Sequence, residues 1–144
     1  MAATTSGSAR IKGGILIARL RFLRERGGDP LVARVLERLP ADDRRVLTGQ
    51  VLHVSWYSLD LNLRLDDAIA VELSPGDRKG IFLEMGRSSA DVNLAGPHKA
   101  YVKVGDPHSL LSKAPVIYKS YYETGNRTYE RVGDTTAVLR TFDA

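Results

Sequence analysis

Leu16, Leu20 and Leu23 recur at helical spacing, beside Ile15, Ile17 and Phe22, with Arg19, Arg21, Arg24 and Arg26 filling the positions between. This predicts an amphipathic helix opening after Lys12-Gly13-Gly14 and stopping at Gly27-Gly28, although Ile17, Leu20 and Phe22 would also suit a strand. Asp29-Pro30 is a fresh start signal: Asp29 can cap free N–H groups, and Pro30 suits the first helical position. Leu31, Val35 and Leu36 form the expected buried stripe, ending at Leu39-Pro40. A short helix from Asp42, closed by Gly49, should follow. Between Leu59 and Leu65 apolar and polar residues alternate strictly, which alone argues for a strand. Ala68, Ile69 and Leu73 instead continue the helical spacing of Leu61 and Leu65. A helix over 59–73, capped by Ser58, is therefore expected. Ser74-Pro75-Gly76 is a break. The next helix should carry Ile81, Phe82, Met85 and Ala90, with Gly86 suited to close packing and Arg87 flanked by Glu84 and Asp91 for intrahelical pairs. Asp106-Pro107 repeats the start signal, for a helix including Leu110 and Leu111 and running on from Val116 to Tyr121.

The period then changes. Arg127 to Val132 and Thr136 to Phe142 flank Gly133-Asp134 and read as a β-hairpin. Thr128, Glu130 and Val132 take one face; Arg127, Tyr129 and Arg131 take the other. Two strands do not stand alone, so the hairpin must pack on helices or join another strand, with residues 50–54 as a candidate. The expected class is α+β: several helices packed on a small antiparallel sheet with a C-terminal β-hairpin. Residues 1–9 read as a disordered lead-in and 10–144 as a single domain, for which 144 residues at 43% hydrophobic suffice.

Composition narrows the chemistry. With no cysteine, disulfides, thiolate zinc sites and cysteine nucleophiles are excluded. No apolar run approaches the roughly 20 residues of a membrane span, and no targeting segment is read, so a cytoplasmic location is expected. The net charge of +4 is uneven: Arg10 to Arg45 holds ten Lys/Arg against five Asp/Glu, and the remainder eleven against twelve. Arg19, Arg21, Arg24 and Arg26 are thus the candidates for an anion-binding surface. The solvated face of a helix explains them more cheaply, and no aromatic residues interleave them as a nucleic-acid platform requires.

No catalytic set emerges. His53, His98 and His108 are widely spread and lack zinc-protease spacing; His108, in a first helical turn, reads as exposed. Ser88 and Ser89 lack a nucleophile elbow. Gly76 to Gly80 lacks Walker spacing and reads as a surface turn. Asp66 and Asp67 point in different directions on a helix. Trp56, Tyr57, Tyr118, Tyr121 and Tyr122 make a dense aromatic set. Such residues more often close a core than line a pocket, but they are the ligand-binding candidates.

Taken in order, five segments carry a resemblance: Lys12-Gly13 leading a helix, Gly28-Asp29-Pro30 to Leu39-Pro40, Ser55-Trp56-Tyr57, Glu84-Met85-Gly86-Arg87-Ser88-Ser89-Ala90, and Tyr121-Tyr122-Glu123-Thr124-Gly125. Together they resemble an uncharacterised paralogous family expanded in myxobacteria. More distantly, the layout is similar to the fold of haem nitric oxide-binding domains, vinyl-reductase-type domains and subunits of vesicle tethering complexes. The resemblance implies helices on a small antiparallel sheet, often dimeric, sometimes around an apolar ligand cavity. Haem would need an axial histidine, for which only His108 is loosely suited, and a Tyr-x-Ser-x-Arg motif that the chain lacks. No cofactor or metal is expected. The leading expectation is a non-enzymatic protein-interaction or scaffold module, partnering another protein or itself as a homodimer. The alternative is a sensor of an apolar small molecule held near Trp56.

Overall fold

The computed structural model describes residues 9–143; apart from Ala9, the expected lead-in lies outside them. The protein is α+β, with six α-helices and two small antiparallel sheets among the described residues. Its backbone contacts fall into two compact units, one up to Ser89 and one from Ala90 onward.

In the first unit, β1 (Arg10–Lys12) pairs antiparallel with β2 (Trp56–Ser58), Ile11 opposite Tyr57. Neither strand is long enough to show a period, and both escape the sequence reading. Helix α1 (Gly13–Glu37) starts against the loop before β2, with Gly13 N donating to Ser55 O at 2.9 Å and Gly14 N to His53 O at 3.0 Å. Gly28 breaks α1 with φ 67° and ψ −169°, a conformation essentially confined to glycine. The stop at Gly27-Gly28 and the restart at Asp29-Pro30 are thus both present. Asp29 differs from expectation: its side chain is exposed and lies 3.4 Å from Arg24 Nε. Leu16, Leu20, Leu23, Leu31, Val35 and Leu36 are all buried.

Helix α2 (Ala41–Thr48) starts one residue before Asp42 and ends at Gly49. Helix α3 (Leu59–Leu73) keeps the expected bounds. Leu61, Leu65 and Ile69 are buried along one face, whereas Leu63 is half exposed because helical rotation carries it away. Ser58 holds the N-cap position, but its side chain makes no cap bond. The N–H of Leu59 instead donates to Ala9 O at 2.7 Å, so the chain before β1 satisfies one of the orphan donors of α3. Helix α4 (Arg78–Ala95) begins in this unit and ends in the next. It buries Ile81 and Met85, while Phe82 is partly covered and Ala90 exposed. A side chain on Gly86 would meet nothing within 4 Å, so this glycine serves no close packing. Glu84 pairs with Arg26 of α1, not with Arg87.

The second unit contains a 3-10 turn at Lys99–Tyr101, then α5 (Pro107–Leu111) and α6 (Ala114–Tyr121). The single helix expected after Asp106-Pro107 is two helices, with Pro115 in the first turn of α6, where a missing N–H is harmless. Asp106 caps α5 as expected, its Oδ1 accepting from Ser109 N at 3.1 Å. Strands β3 (Asn126–Arg131) and β4 (Ala137–Phe142) form the hairpin, with Tyr129 opposite Leu139. They make a two-stranded sheet of their own. Residues 50–54 form no strand beside them. The hairpin packs on α6 through β3.

Candidate functional site

Trp56 and Tyr57 sit on β2, fixed by the close approach of α1. Lys12 Nζ lies 4.4 Å and Arg10 Cζ 5.6 Å from the Trp56 ring centroid, and Lys12 also donates to Val54 O at 2.9 Å. These are cation–π contacts across paired strands. The Tyr57 hydroxyl accepts from Leu52 N at 2.8 Å. Both aromatics thereby tie the 52–55 loop to the start of α1, which is an anchoring role.

Each of the four candidate anion-binding arginines faces a carboxylate. Arg19 Nε meets Asp66 at 2.8 Å, Arg21 meets Glu25 at 2.8 Å, Arg24 lies near Asp29, and Arg26 meets Glu84. Asp66 and Asp67 diverge as expected, Asp67 pairing with Arg78. Asp43 is buried and receives a two-pronged contact from Arg64 at 2.6 and 3.0 Å. That bond, opposed in part by desolvation, holds the Arg64 guanidinium's pKa up. Glu72 accepts from Arg38 and Arg34, and those bonds, Arg38 first, hold its carboxyl below the usual range. Asn62 is buried beside the Arg19–Asp66 pair, its Oδ1 without a hydrogen-bond partner among the described residues.

The three candidate tyrosines belong to the second unit. Tyr118 and Tyr122 stack at 4.6 Å between centroids, and Arg127 of β3 lies 4.7 Å from the Tyr118 ring. The Tyr118 hydroxyl donates to Thr124 O at 3.2 Å. Tyr121 donates to Asn93 Oδ1 at 3.0 Å, so at its second contact, also 3.0 Å, it accepts from His98 Nε2. Burial pushes the Tyr121 hydroxyl pKa up. His98 in turn stacks on Tyr101.

His108 is buried at 7% exposure, not on the surface. Its Nε2 lies 2.9 Å from Asp134 O and its Nδ1 2.7 Å from the Tyr129 hydroxyl. A carbonyl only accepts, so Nε2 carries the proton, and Nδ1 accepts from Tyr129 in the neutral ring. The ring staples the first turn of α5 to the hairpin. The sequence signal was there in Tyr129 and the hairpin turn, but periodicity alone cannot bring residues 108, 129 and 134 together.

Chemically, these groups are spent on one another. Both nitrogens of His108 and Nε2 of His98 are engaged, and the hydroxyls of Tyr118, Tyr121 and Tyr129 point into protein acceptors. Among the described residues no cluster of three or more His, Asp or Glu side chains is placed to hold a metal. Nor is any helix among them long and apolar enough to cross a membrane.

The fold is thus defined at the level of an α+β protein. No protein-family model, curated protein or solved structure matches the chain.

Proposed function

We propose that the protein is a non-enzymatic, cytoplasmic protein-interaction or scaffold module of the paralogous family it resembles, and that its second unit carries the contact surface. One observation carries this reading. Among the described residues from Ala90 onward, only His108, Tyr118 and Tyr121 are buried, whereas Val102, Val104, Val116, Val132, Leu139 and Phe142 are all exposed. Such an excess of exposed apolar side chains over buried ones is what a surface awaiting a partner presents. The two histidines of the unit and Tyr118, Tyr121 and Tyr129, by contrast, are already committed to internal hydrogen bonds. The apolar-ligand reading near Trp56 draws less support, because cations already lie over that ring.

A photo-crosslinking residue placed at Phe142 in the full chain, expressed in its own host, tests the reading. A discrete protein adduct, with another protein or with the chain itself, is expected. No adduct at Phe142, Val132 or Val104 would overturn it, as would a turnover abolished by changing one polar residue.

A further inference from the structure

We propose that β4 is a self-association edge: a second copy adds its own β4 antiparallel, on a two-fold axis at Leu139, to make one four-stranded sheet. This rests on the interaction reading and names the partner for the same surface. The argument starts at the turn. Val132 N and Gly133 N both donate to Thr136 O, at 3.1 and 3.2 Å, so Val132 and Thr136 are a hydrogen-bonded pair. Antiparallel pairs alternate between bonded and non-bonded. From the register, Val138, Arg140 and Phe142 therefore turn their backbone groups to β3, and Ala137, Leu139 and Thr141 turn theirs away. No backbone partner for these outward groups exists among the described residues.

The edge also lacks the usual guards. It holds no proline or lysine, residues that commonly keep exposed strands apart. Its one charge, Arg140, is paired with Glu130 of its own hairpin, and Leu139 is 41% exposed.

A second copy fits this edge in one register. With Leu139 opposite the second copy's Leu139, Ala137 falls opposite Thr141, and every outward N–H and C=O of both strands gains a partner. Any other two-fold register leaves part of them unpaired. The same register sets Arg140 opposite Val138, so no like charges meet directly, and it buries the two leucines against each other. A foreign strand gains no such guarantee of matching length and charge. The interface is one strand wide, so association is weak and concentration-dependent.

The test uses the purified full chain in sedimentation equilibrium, with amide exchange read residue by residue. Mass should double as concentration rises, with Ala137, Leu139 and Thr141 amides becoming protected together. Leu139→Lys and Leu139→Glu should each stay monomeric, because the axis sets like charges opposite one another. An equimolar mixture of the two should recover the dimer. Protected Val138 and Arg140 amides in both variants confirm that the hairpin remains folded. A wild-type chain monomeric throughout, a Leu139→Lys dimer, or a dimer with those three amides unprotected overturns the proposal. A monomeric chain that still crosslinks through Phe142 to another protein sinks self-association alone; a monomeric chain with no crosslink sinks the interaction reading as well.

Discussion

The same change, glycine to alanine, should have opposite signs at the two ends of the first unit. At Gly13 an added Cβ would sit 2.1 Å from Leu52 O and 2.7 Å from Tyr57 Cε2. The first contact is backbone, which cannot swing aside, and it belongs to the loop whose carbonyls at His53 and Ser55 bond the start of α1. Overpacking of this kind costs about 1–3 kcal/mol, and straining either of those two bonds adds about 1 kcal/mol. Gly13→Ala should therefore destabilise the unit by about 2 kcal/mol or more. At Gly86, inside α4, nothing lies within 4 Å of the added carbon. There alanine gains its helix-propensity advantage of about 1 kcal/mol over glycine. For a unit of this size that is an upward shift in Tm of about 4–8 °C. The readout is thermal and urea unfolding followed by the fluorescence of Trp56, the only tryptophan, on β2 beside Gly13. A neutral or stabilising Gly13→Ala would refute the close approach of α1 to the 52–55 loop. A destabilising Gly86→Ala would show that α4 is packed at that position after all.

In the second unit, His108→Ala removes two hydrogen bonds and leaves a small void, so the hairpin should open more readily by about 2–3 kcal/mol, read from amide exchange at Val138. Tyr129→Phe removes one of those bonds and should cost about 1 kcal/mol; equal effects would contradict the two-sided staple. Because burial raises the Tyr121 pKa, its contribution to stability is full below the unfolded value of about 10 and is lost as pH rises through the higher folded one. Tyr121→Phe should lower stability at neutral pH through the lost contacts to Asn93 and His98, but flatten the alkaline decline. An unchanged alkaline profile in that variant would refute the assignment.

The residues legible from sequence were those whose environment is set by near neighbours. The helix after Ser58 could be placed because Ala68 and Ile69 extend a 3.6-residue spacing that no strand would keep. Asp106 could be assigned as a cap because its partner, Ser109, is three residues away. The hairpin followed from the change of period around Gly133-Asp134. What escaped depends on distant residues. β1 and β2 are three residues each, too short to alternate visibly, and exist only because each finds the other. Ser58 reads as a cap until Ala9 supplies the acceptor instead. The burial of His108 needs Tyr129 and Asp134, and that of Asp43 needs Arg64. The aromatic candidates divide in the same way: Tyr57 and Trp56 are held by Leu52, Arg10 and Lys12, whereas Tyr118, Tyr121 and Tyr122 are held within 93–127.

The pairing of β1 with β2 also bears on how the protein assembles. Lys12 and Trp56 stand opposite one another, so that sheet closes a loop containing α1 and α2, and the chain entropy of closure precedes any gain from the strands. Docking of α1 against α3 brings the sheet's two strands near one another. The contacts of α6 with β3 and of β3 with β4 join residues close in sequence, which favours fast, early formation. The C-terminal hairpin would then be present, its outer edge still open, while the first sheet is waiting for its distant strand.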